Sequence, residues 1–160
     1  MPSLNYRFQS EAETTDFARH LAHKLSASDV ILLYGGLGAG KTHFSRACIQ
    51  ARMAEIGPIE DVPSPTFTLV QTYSLDDVEI WHADLYRLSG PDEIFELGLD
   101  EAFETGICLI EWPDRLQGLK PAGALELHFA MTSVLGERTV TALFDNPKWT
   151  DKLPPAIADG

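Results

Sequence analysis

The spacing of apolar residues over the first third of the chain predicts a strand, a helix, a second strand and a second helix. Residues 4–9 are typical of a short strand, and Ser10 with Glu13 forms a capping box that begins a helix. Residues 30–34 are apolar at every position, which is typical of an interior strand of a parallel sheet. The glycine-rich segment 35–40 is predicted to be a loop, because helical spacing resumes only after it.

Beyond residue 58 the pattern changes to paired β-like segments with short helices between them. Residues 67–73 and 78–83 are predicted to form an antiparallel hairpin. A short acidic helix is predicted to begin at Pro91. The remaining predicted elements are a second short helix through Phe103, a fully apolar strand at 107–110 that ends in Glu111, and a second hairpin with strands at 124–131 and 138–144.

This order of elements predicts an α/β domain of three layers, whose mixed sheet has a parallel core and antiparallel hairpins. A length of 160 residues corresponds to a single domain, which we place at residues 1–146. Residues 147–160 contain Pro147, Pro154 and Pro155, so we predict a flexible C-terminal tail there.

Composition excludes several classes of protein. Hydrophobic residues make up 44% of the chain and charged residues 22%, as in ordinary globular domains. The longest apolar run, 30–34, is far shorter than the roughly 18 residues of a membrane-spanning helix. The first ten residues lack the basic-then-apolar order of a secretory signal. We therefore expect a cytoplasmic protein that does not contact a membrane.

Acidic charge is concentrated in the second part of the chain. Residues 1–60 hold six basic and six acidic side chains, so residues 61–160 carry the whole net charge of −12. Direct nucleic-acid binding requires the opposite sign, which argues against a surface that holds tRNA. Residues 76–104 are the extreme, with ten acidic side chains and Arg87 as the one basic residue. This segment is either a solvated helix face with loops or a docking surface for a basic partner.

The loop after the first buried strand matches the G-x-x-x-x-G-K-[ST] pattern of a phosphate-binding loop, or P-loop. Its glycines allow backbone angles at which successive N–H groups converge on phosphate oxygens, and the following helix adds the positive end of its dipole. The predicted nucleotide-binding residues are Gly35, Gly36, Leu37, Gly38, Ala39, Gly40, Lys41 and Thr42. Lys41 is expected to reach the β- and γ-phosphates, and the Thr42 hydroxyl to bind Mg²⁺. The alternative is a glycine turn without a ligand.

Two carboxylates are candidates for the acidic groups that a P-loop requires across the site to hold magnesium and order water. Glu111 ends the apolar strand 107–110, where such a carboxylate lies at the carboxyl edge of a parallel sheet. Asp84 ends the second strand of the first hairpin. Each could instead be an ordinary turn residue.

These motifs together resemble the TsaE (YjeE) family of small bacterial P-loop ATPases, which serve threonylcarbamoyladenosine modification of tRNA. The resemblance covers about residues 10–115. It rests on LYGGLGAGKTHFSR at 33–46, SPTFTLVQTY at 64–73, HADLYRL at 82–88, PDEIFELGLDEAF at 91–103 and ICLIEWPDRL at 107–116. The loop is generic, whereas S-P-T-[FY]-T-L-V, H-x-D-L-Y-R and I-E-W-P in this order are specific.

The resemblance implies a P-loop NTPase-like fold and a role for each matching residue. Lys41 and Thr42 are implied to bind phosphate and Mg²⁺, Glu111 to complete the metal site, and Asp84 to position water or a metal-bound water. Trp112 follows Glu111 in the same signature and is a candidate nucleotide-binding residue, with an exposed apolar anchor as the alternative. The further candidates from this comparison are Arg138, for contact with the nucleoside, and Ser64, Pro65 and Thr66, for a switch-like loop that faces the nucleotide.

The resemblance also implies ATP and Mg²⁺ as cofactors and a partner-stimulated ATPase with low intrinsic activity. The partners would be TsaB and TsaD, with tRNA reached only indirectly because TsaD carries the tRNA chemistry. Two positions depart from the family: Gly36 replaces a frequent acidic residue, and His43 a frequent Ser or Thr. Neither change removes a backbone phosphate ligand, so they bear on the hydrolysis rate rather than on binding.

Three rival functions use the same loop. A small-molecule or nucleotide kinase would need an acceptor pocket and a basic lid, and the few arginines after residue 46 argue against both. A GTPase lacks support because residues 146–149, NPKW, are not the N-K-x-D arrangement that reads guanine. A nucleotide-sensing interaction module without useful turnover is not distinguished from an ATPase by the sequence.

Overall fold

A seven-stranded mixed sheet forms the centre of the computed structural model, which describes residues 2–156. The strands are β1 (Ser3–Phe8), β2 (Val30–Tyr34), β3 (Val70–Ser74), β4 (Glu79–Asp84), β5 (Ile107–Glu111), β6 (Leu125–Met131) and β7 (Arg138–Leu143). The order across the sheet is β1-β7-β6-β2-β5-β4-β3. The four central strands are parallel to one another, and the outer pairings β1 with β7, β7 with β6 and β4 with β3 are antiparallel.

Helices cover both faces of the sheet and make three layers. Alternate residues of β2 enter opposite cores: Ile31 and Leu33 pack with α1 and α2, and Val30 and Leu32 pack with α3 and α4. A strand that is buried on both faces has to be apolar at every position, which explains the unbroken run at 30–34. The helices are α1 (Glu11–Ala22), α2 (Lys41–Ile56), α3 (Asp92–Leu97), α4 (Leu99–Thr105) and α5 (Lys148–Lys152), with a 3-10 segment at Pro113–Leu119.

The predicted fold class is confirmed, with a parallel core and antiparallel hairpins at β3–β4 and β6–β7. The capping box at the start of α1 is also present, since Ser10 Oγ accepts from the Glu13 N–H at 3.4 Å. Among residues 2–156, no helix combines the length and the apolar character needed to cross a bilayer.

The first hairpin begins three residues later than predicted. The Leu69 N–H donates to the Pro65 carbonyl at 2.7 Å, which closes a turn, and Leu69 itself has a φ of 67°. This turn keeps residues 66–68 out of the ladder; the Leu69 carbonyl accepts from the Asp84 N–H at 2.8 Å, and the paired residues of β3 and β4 begin at Val70. Phe67, predicted to be a strand residue, is 80% exposed in this turn.

The prediction of a flexible tail from residue 147 is wrong for the part of it that the structure describes. Residues 148–152 form α5, in which the Trp149 side chain is fully buried and its indole N–H donates to the Gly123 carbonyl at 2.7 Å. Pro147 precedes the first turn of this helix, a position that suits proline. The domain therefore extends past residue 146; residues 157–160 lie outside the described part of the chain.

An ion-pair cluster joins α5 to the start of β2. Asp29, which immediately precedes β2, is 1% exposed and lies 2.7 Å from Lys148 Nζ and 2.5 Å from Lys152 Nζ. Burial acts to raise the pKa of Asp29, but hydrogen bonds from both ammonium groups and from the Ser26 N–H outweigh it and hold the pKa below its ordinary value. The carboxylate thus stays charged in the folded protein.

Replacing Trp149 with Ala is expected to lower the free energy of unfolding by about 3–5 kcal/mol, because it empties a fully buried aromatic site and leaves the Gly123 carbonyl without its donor. Urea denaturation followed by circular dichroism measures this loss. Thr150→Ala, at an exposed position of the same helix, is the matched control. Equal stabilities of the two variants would mean that α5 does not pack against the core of the domain.

Replacing Asp29 with Asn is expected to destabilise the protein by about 1.5–3 kcal/mol at pH 7, since hydrogen bonds to a charged group are lost. Because the folded pKa of Asp29 lies below the unfolded value of about 3.9, its contribution is fully present above that value and is lost as pH falls through the folded pKa. The difference in the free energy of unfolding between wild type and Asp29→Asn should therefore narrow below about pH 4, as measured by urea denaturation across this pH range. Asp151→Asn, at an exposed residue of α5, is the control. A difference between wild type and Asp29→Asn that does not change with pH would contradict the lowered pKa of Asp29.

Candidate functional site

The glycine loop runs from β2 into α2 at the carboxyl edge of the sheet. Gly35 has a φ of 145°, and a Cβ there would lie 2.7 Å from the Phe129 carbonyl oxygen, so any other residue would force β6 away. Gly40 has a φ of 111° and directly precedes α2, whose first helical hydrogen bond runs from the Phe44 N–H to the Gly40 carbonyl at 2.9 Å. The first N–H groups of this 16-residue helix therefore have no helical acceptor and can bind an anion.

Lys41 lies at the base of this loop and is 5% exposed. Its ammonium group donates to the Gly35 carbonyl at 2.6 Å and lies 3.7 Å from the centroid of the Trp112 ring. Burial lowers the pKa of Lys41, and the nearby negative charges of Glu111 and Asp84 oppose that effect. The Lys41 amino group is thus held at the loop between the Gly35 carbonyl and the indole ring of Trp112.

Asp84 and Glu111 are direct neighbours because β4 and β5 are parallel and end at the same edge. The register pairs Asp84 with Glu111, and Glu111 with Leu33 of β2. Their exposed fractions are only 6% and 2%. Glu111 Oε1 accepts from the Thr42 hydroxyl at 2.8 Å, so the two predicted metal ligands are in contact.

A loop at residues 64–66 is tied to Asp84. Asp84 Oδ2 accepts from the Thr66 hydroxyl at 3.3 Å, and Oδ1 accepts from the Tyr86 N–H at 3.1 Å. The Thr66 hydroxyl also lies 2.7 Å from the Ser64 hydroxyl. Movement of this loop would therefore act directly on the Asp84 carboxylate.

The predicted residues surround one cavity of about 640 Å³, a size that suits a nucleotide. Most of the residues predicted for the site line its wall: Leu37, Gly38, Gly40, Lys41, Thr42, Asp84, Glu111, Trp112 and Arg138. Of the other predicted loop residues, Gly35 lies against Phe129 of β6 and Ala39 is buried. Gly36 has open space around the position of a Cβ, so a Cβ there would meet no clash.

Arg138 contacts the loop itself. Its guanidinium donates to the Gly38 carbonyl at 3.2 Å, which joins the start of β7 to the tip of the P-loop. Arg87, the one basic residue of the acidic segment 76–104, lies with its guanidinium over the Phe67 ring at 4.7 Å.

The residues that line the cavity at the junction of β1 and α1 were not predicted from the sequence. Gln9, Ser10, Glu11 and Thr14 line this side together with Gly136 of the β6–β7 turn. The sequence marks Ser10 only as a helix cap. Nothing local in the sequence indicates that this junction faces the glycine loop, because their proximity depends on β1 pairing with β7 at the far end of the chain.

The donor set suits magnesium better than a soft metal. Among the described residues, no group of three or more His, Cys, Asp or Glu side chains could hold a metal ion. Mg²⁺ does not need such a cage, because it typically takes one or two protein oxygen ligands and completes its shell with phosphate oxygens and water. The Thr42 hydroxyl and the Glu111 carboxylate are oxygen donors of this type, so they fit the ion that the sequence predicted.

Comparison with known proteins identifies the family. The family model described as threonylcarbamoyl adenosine biosynthesis protein TsaE matches residues 8–140. A curated relative from Rickettsia bellii, named tRNA threonylcarbamoyladenosine biosynthesis protein TsaE, is 42% identical over 76% of this chain and 83% of its own length. The Bacillus subtilis protein of the same name is 35% identical over 79% of this chain and 77% of its own length.

The fold has a counterpart among solved structures. The crystal structure of Bacillus subtilis YdiB superposes with a TM-score of 0.72 at 26% sequence identity, and the match covers 94% of this chain and 91% of that one. The match of the family model over most of the chain, the identity to curated relatives and this shared fold agree with the resemblance carried by the sequence motifs. The chain belongs to the TsaE family of threonylcarbamoyl adenosine biosynthesis proteins.

Proposed function

We propose that this protein is a Mg²⁺-dependent ATPase that drives the threonylcarbamoyladenosine modification cycle of tRNA in complex with TsaB and TsaD. The observation that carries the proposal is the contact between Thr42 of the P-loop and Glu111 of β5 at 2.8 Å, beside a nucleotide-sized cavity. A phosphate-binding loop with a buried carboxylate at its threonine is the arrangement that phosphoryl transfer requires.

Each residue of the site has a defined task in this proposal. The amides at the start of α2 and the Lys41 ammonium bind the phosphates, and Lys41 exchanges its bond to the Gly35 carbonyl for a phosphate oxygen. Thr42 and Glu111 are the residues that would hold Mg²⁺, which would neutralise phosphate charge. Asp84, fixed by the Tyr86 N–H and Thr66, orients the attacking water.

The names of the relatives support the biological part of the proposal. They are tRNA threonylcarbamoyladenosine biosynthesis proteins, and we extend this role to the present chain. A net charge of −12 disfavours direct tRNA binding, so tRNA is reached through TsaD, and TsaB and TsaD contact this chain. The corresponding location is the cytoplasm.

The nucleotide is proposed to be ATP rather than GTP. A GTPase would use an Asn at the N-K-x-D position to read guanine, and Asn146 is the residue considered for that role. Its side-chain oxygen accepts from the Lys148 N–H at 2.9 Å, so it caps the short helix α5. This local task accounts for Asn146 without any contact with a base.

MgATP at a hundredfold excess over Kd is expected to stabilise the wild-type protein by about 2.7 kcal/mol, because a ligand that binds only the folded state shifts the unfolding equilibrium. Thermal melts with and without MgATP measure the shift. Lys41→Ala should remove most of it, whereas Lys24→Ala, at an exposed residue after α1, should keep it. A wild-type melt that MgATP does not move would refute nucleotide binding at the loop.

Phosphate release from ATP is expected to be slow for the isolated chain and to accelerate when TsaB and TsaD are added together. In the assembled mixture Asp84→Asn should lower kcat by about 10²-fold or more, because the water loses its orienting group, while the Kd for MgATP stays near the wild-type value. Asp151→Asn, at an exposed position of α5 and outside the acidic segment 76–104, is the charge-matched control. Turnover that ignores both partners, or phosphate transfer to a metabolite, would contradict the proposal.

A further inference from the structure

His82 is a buried polar residue that the proposed function has not used. It lies on β4, two residues before Asp84, and its side chain is fully buried. Its Nε2 is 2.6 Å from Glu111 Oε2. The other oxygen of the same carboxylate, Oε1, is the one that accepts from Thr42. The carboxylate is therefore held on one side by His82 and on the other by the P-loop.

We propose that His82 is a positioning residue that fixes the rotation of the Glu111 carboxylate, so that Oε1 faces Thr42, the residue with which Glu111 would hold a magnesium ion. This inference rests on the proposed function, since it concerns how the same site is prepared for metal. His82 acts through Glu111 and does not itself contact nucleotide or ion.

The terminal torsion of a glutamate is soft, which is why a fixed contact is needed. Rotation about the bond to a carboxylate has broad minima, so Glu111 alone would not present one chosen oxygen to Thr42. A hydrogen bond to Oε2 removes that freedom. A carboxylate oxygen accepts in such a contact, so the histidine tautomer that makes this bond carries its proton on Nε2 and donates it to Oε2.

The position of His82 on β4 places its ring beside the Glu111 carboxylate. β4 lies between β3 and β5, and His82 is paired in register with Gln71 on one side and Leu109 on the other. The same strand carries Asp84 to the edge of the sheet beside Glu111. One rigid central strand thus positions the His82 ring and one of the two site carboxylates.

A packing role alone does not account for a histidine here. Nδ1 of His82 has no hydrogen-bond partner among the described residues, although the ring is fully buried. An unpaired buried polar atom destabilises a fold, so an apolar side chain would pack at a lower energetic cost. What the apolar side chain could not supply is the donor to Glu111.

Three substitutions separate donor placement from packing. The amide nitrogen of Gln occupies roughly the place of Nε2, whereas that of Asn occupies roughly the place of Nδ1, which has no partner here. Met fills the space without a donor. His82→Gln should therefore preserve the orientation of Glu111, and both His82→Asn and His82→Met should lose it.

The measurement is the Kd for ATP by calorimetry, once with Mg²⁺ and once with EDTA, for the full chain. His82→Asn and His82→Met are expected to reduce the Mg²⁺-dependent gain in affinity by about 10- to 100-fold, the usual effect of losing a residue that orients a metal ligand. Binding in EDTA should stay at the wild-type level, and His82→Gln should keep the wild-type gain.

Glu111→Gln supplies the internal reference. It should lose the Mg²⁺-dependent gain, and the double variant with His82→Asn should lose no more, because both changes act through one carboxylate. If wild type shows no such gain, the proposed function fails. Suppose that wild type and Glu111→Gln behave as expected, but a folded His82→Asn or His82→Met variant keeps the full Mg²⁺-dependent gain in ATP affinity. The positioning role of His82 is then overturned, while the proposed function stands. A loss of the gain in a stable His82→Gln variant overturns the positioning role as well.

Discussion

The hydrogen bond between Thr42 and Glu111 connects the glycine loop to the edge of the central sheet, and the rest of the site is arranged around it. It forms because β2 and β5 are adjacent and parallel, so the residue that ends β5 faces the loop that follows β2. β4 is the next parallel strand, and its last residue, Asp84, comes to lie beside Glu111. Three strand ends thus converge on one cavity, as is general at the carboxyl edge of an open α/β sheet.

Elements far from this edge hold β2 in place. Asp29, at the opposite end of β2, is bound by Lys148 and Lys152 of α5, and Trp149 of the same helix is buried in the core. The C-terminal helix therefore supports the strand that delivers the P-loop.

The environment of Lys41 shows how the cavity balances charge. The ammonium group is buried between the Gly35 carbonyl and the Trp112 ring, with Asp84 and Glu111 close enough to oppose the effect of burial on its pKa. Two buried carboxylates without a cation would be strongly unfavourable. A bound nucleotide brings further negative charge, which is why the proposed function needs a divalent ion beside Thr42 and Glu111.

Local sequence patterns were enough to predict most of the strands and helices and the position of the glycine loop between β2 and α2. The unbroken apolar runs at 30–34 and 107–110, the glycine pattern at 35–42 and the two hairpins follow from period, backbone freedom and turn residues, which are properties of neighbours in the chain. The α/β class with a mixed sheet follows from their order. The late start of β3 was not predictable, because the turn at 66–69 is also held by contacts with the distant residue Asp84.

Strand order, by contrast, came from packing between distant segments and could not be read from the chain. Pairing of β1 with β7 brings Gln9 and Thr14 to the cavity, and burial of Trp149 turns a proline-rich end into a helix. The contact of His82 with Glu111 likewise joins residues 29 positions apart. Such contacts depend on which surfaces meet when the sheet assembles, whereas periodicity records only whether a residue is buried.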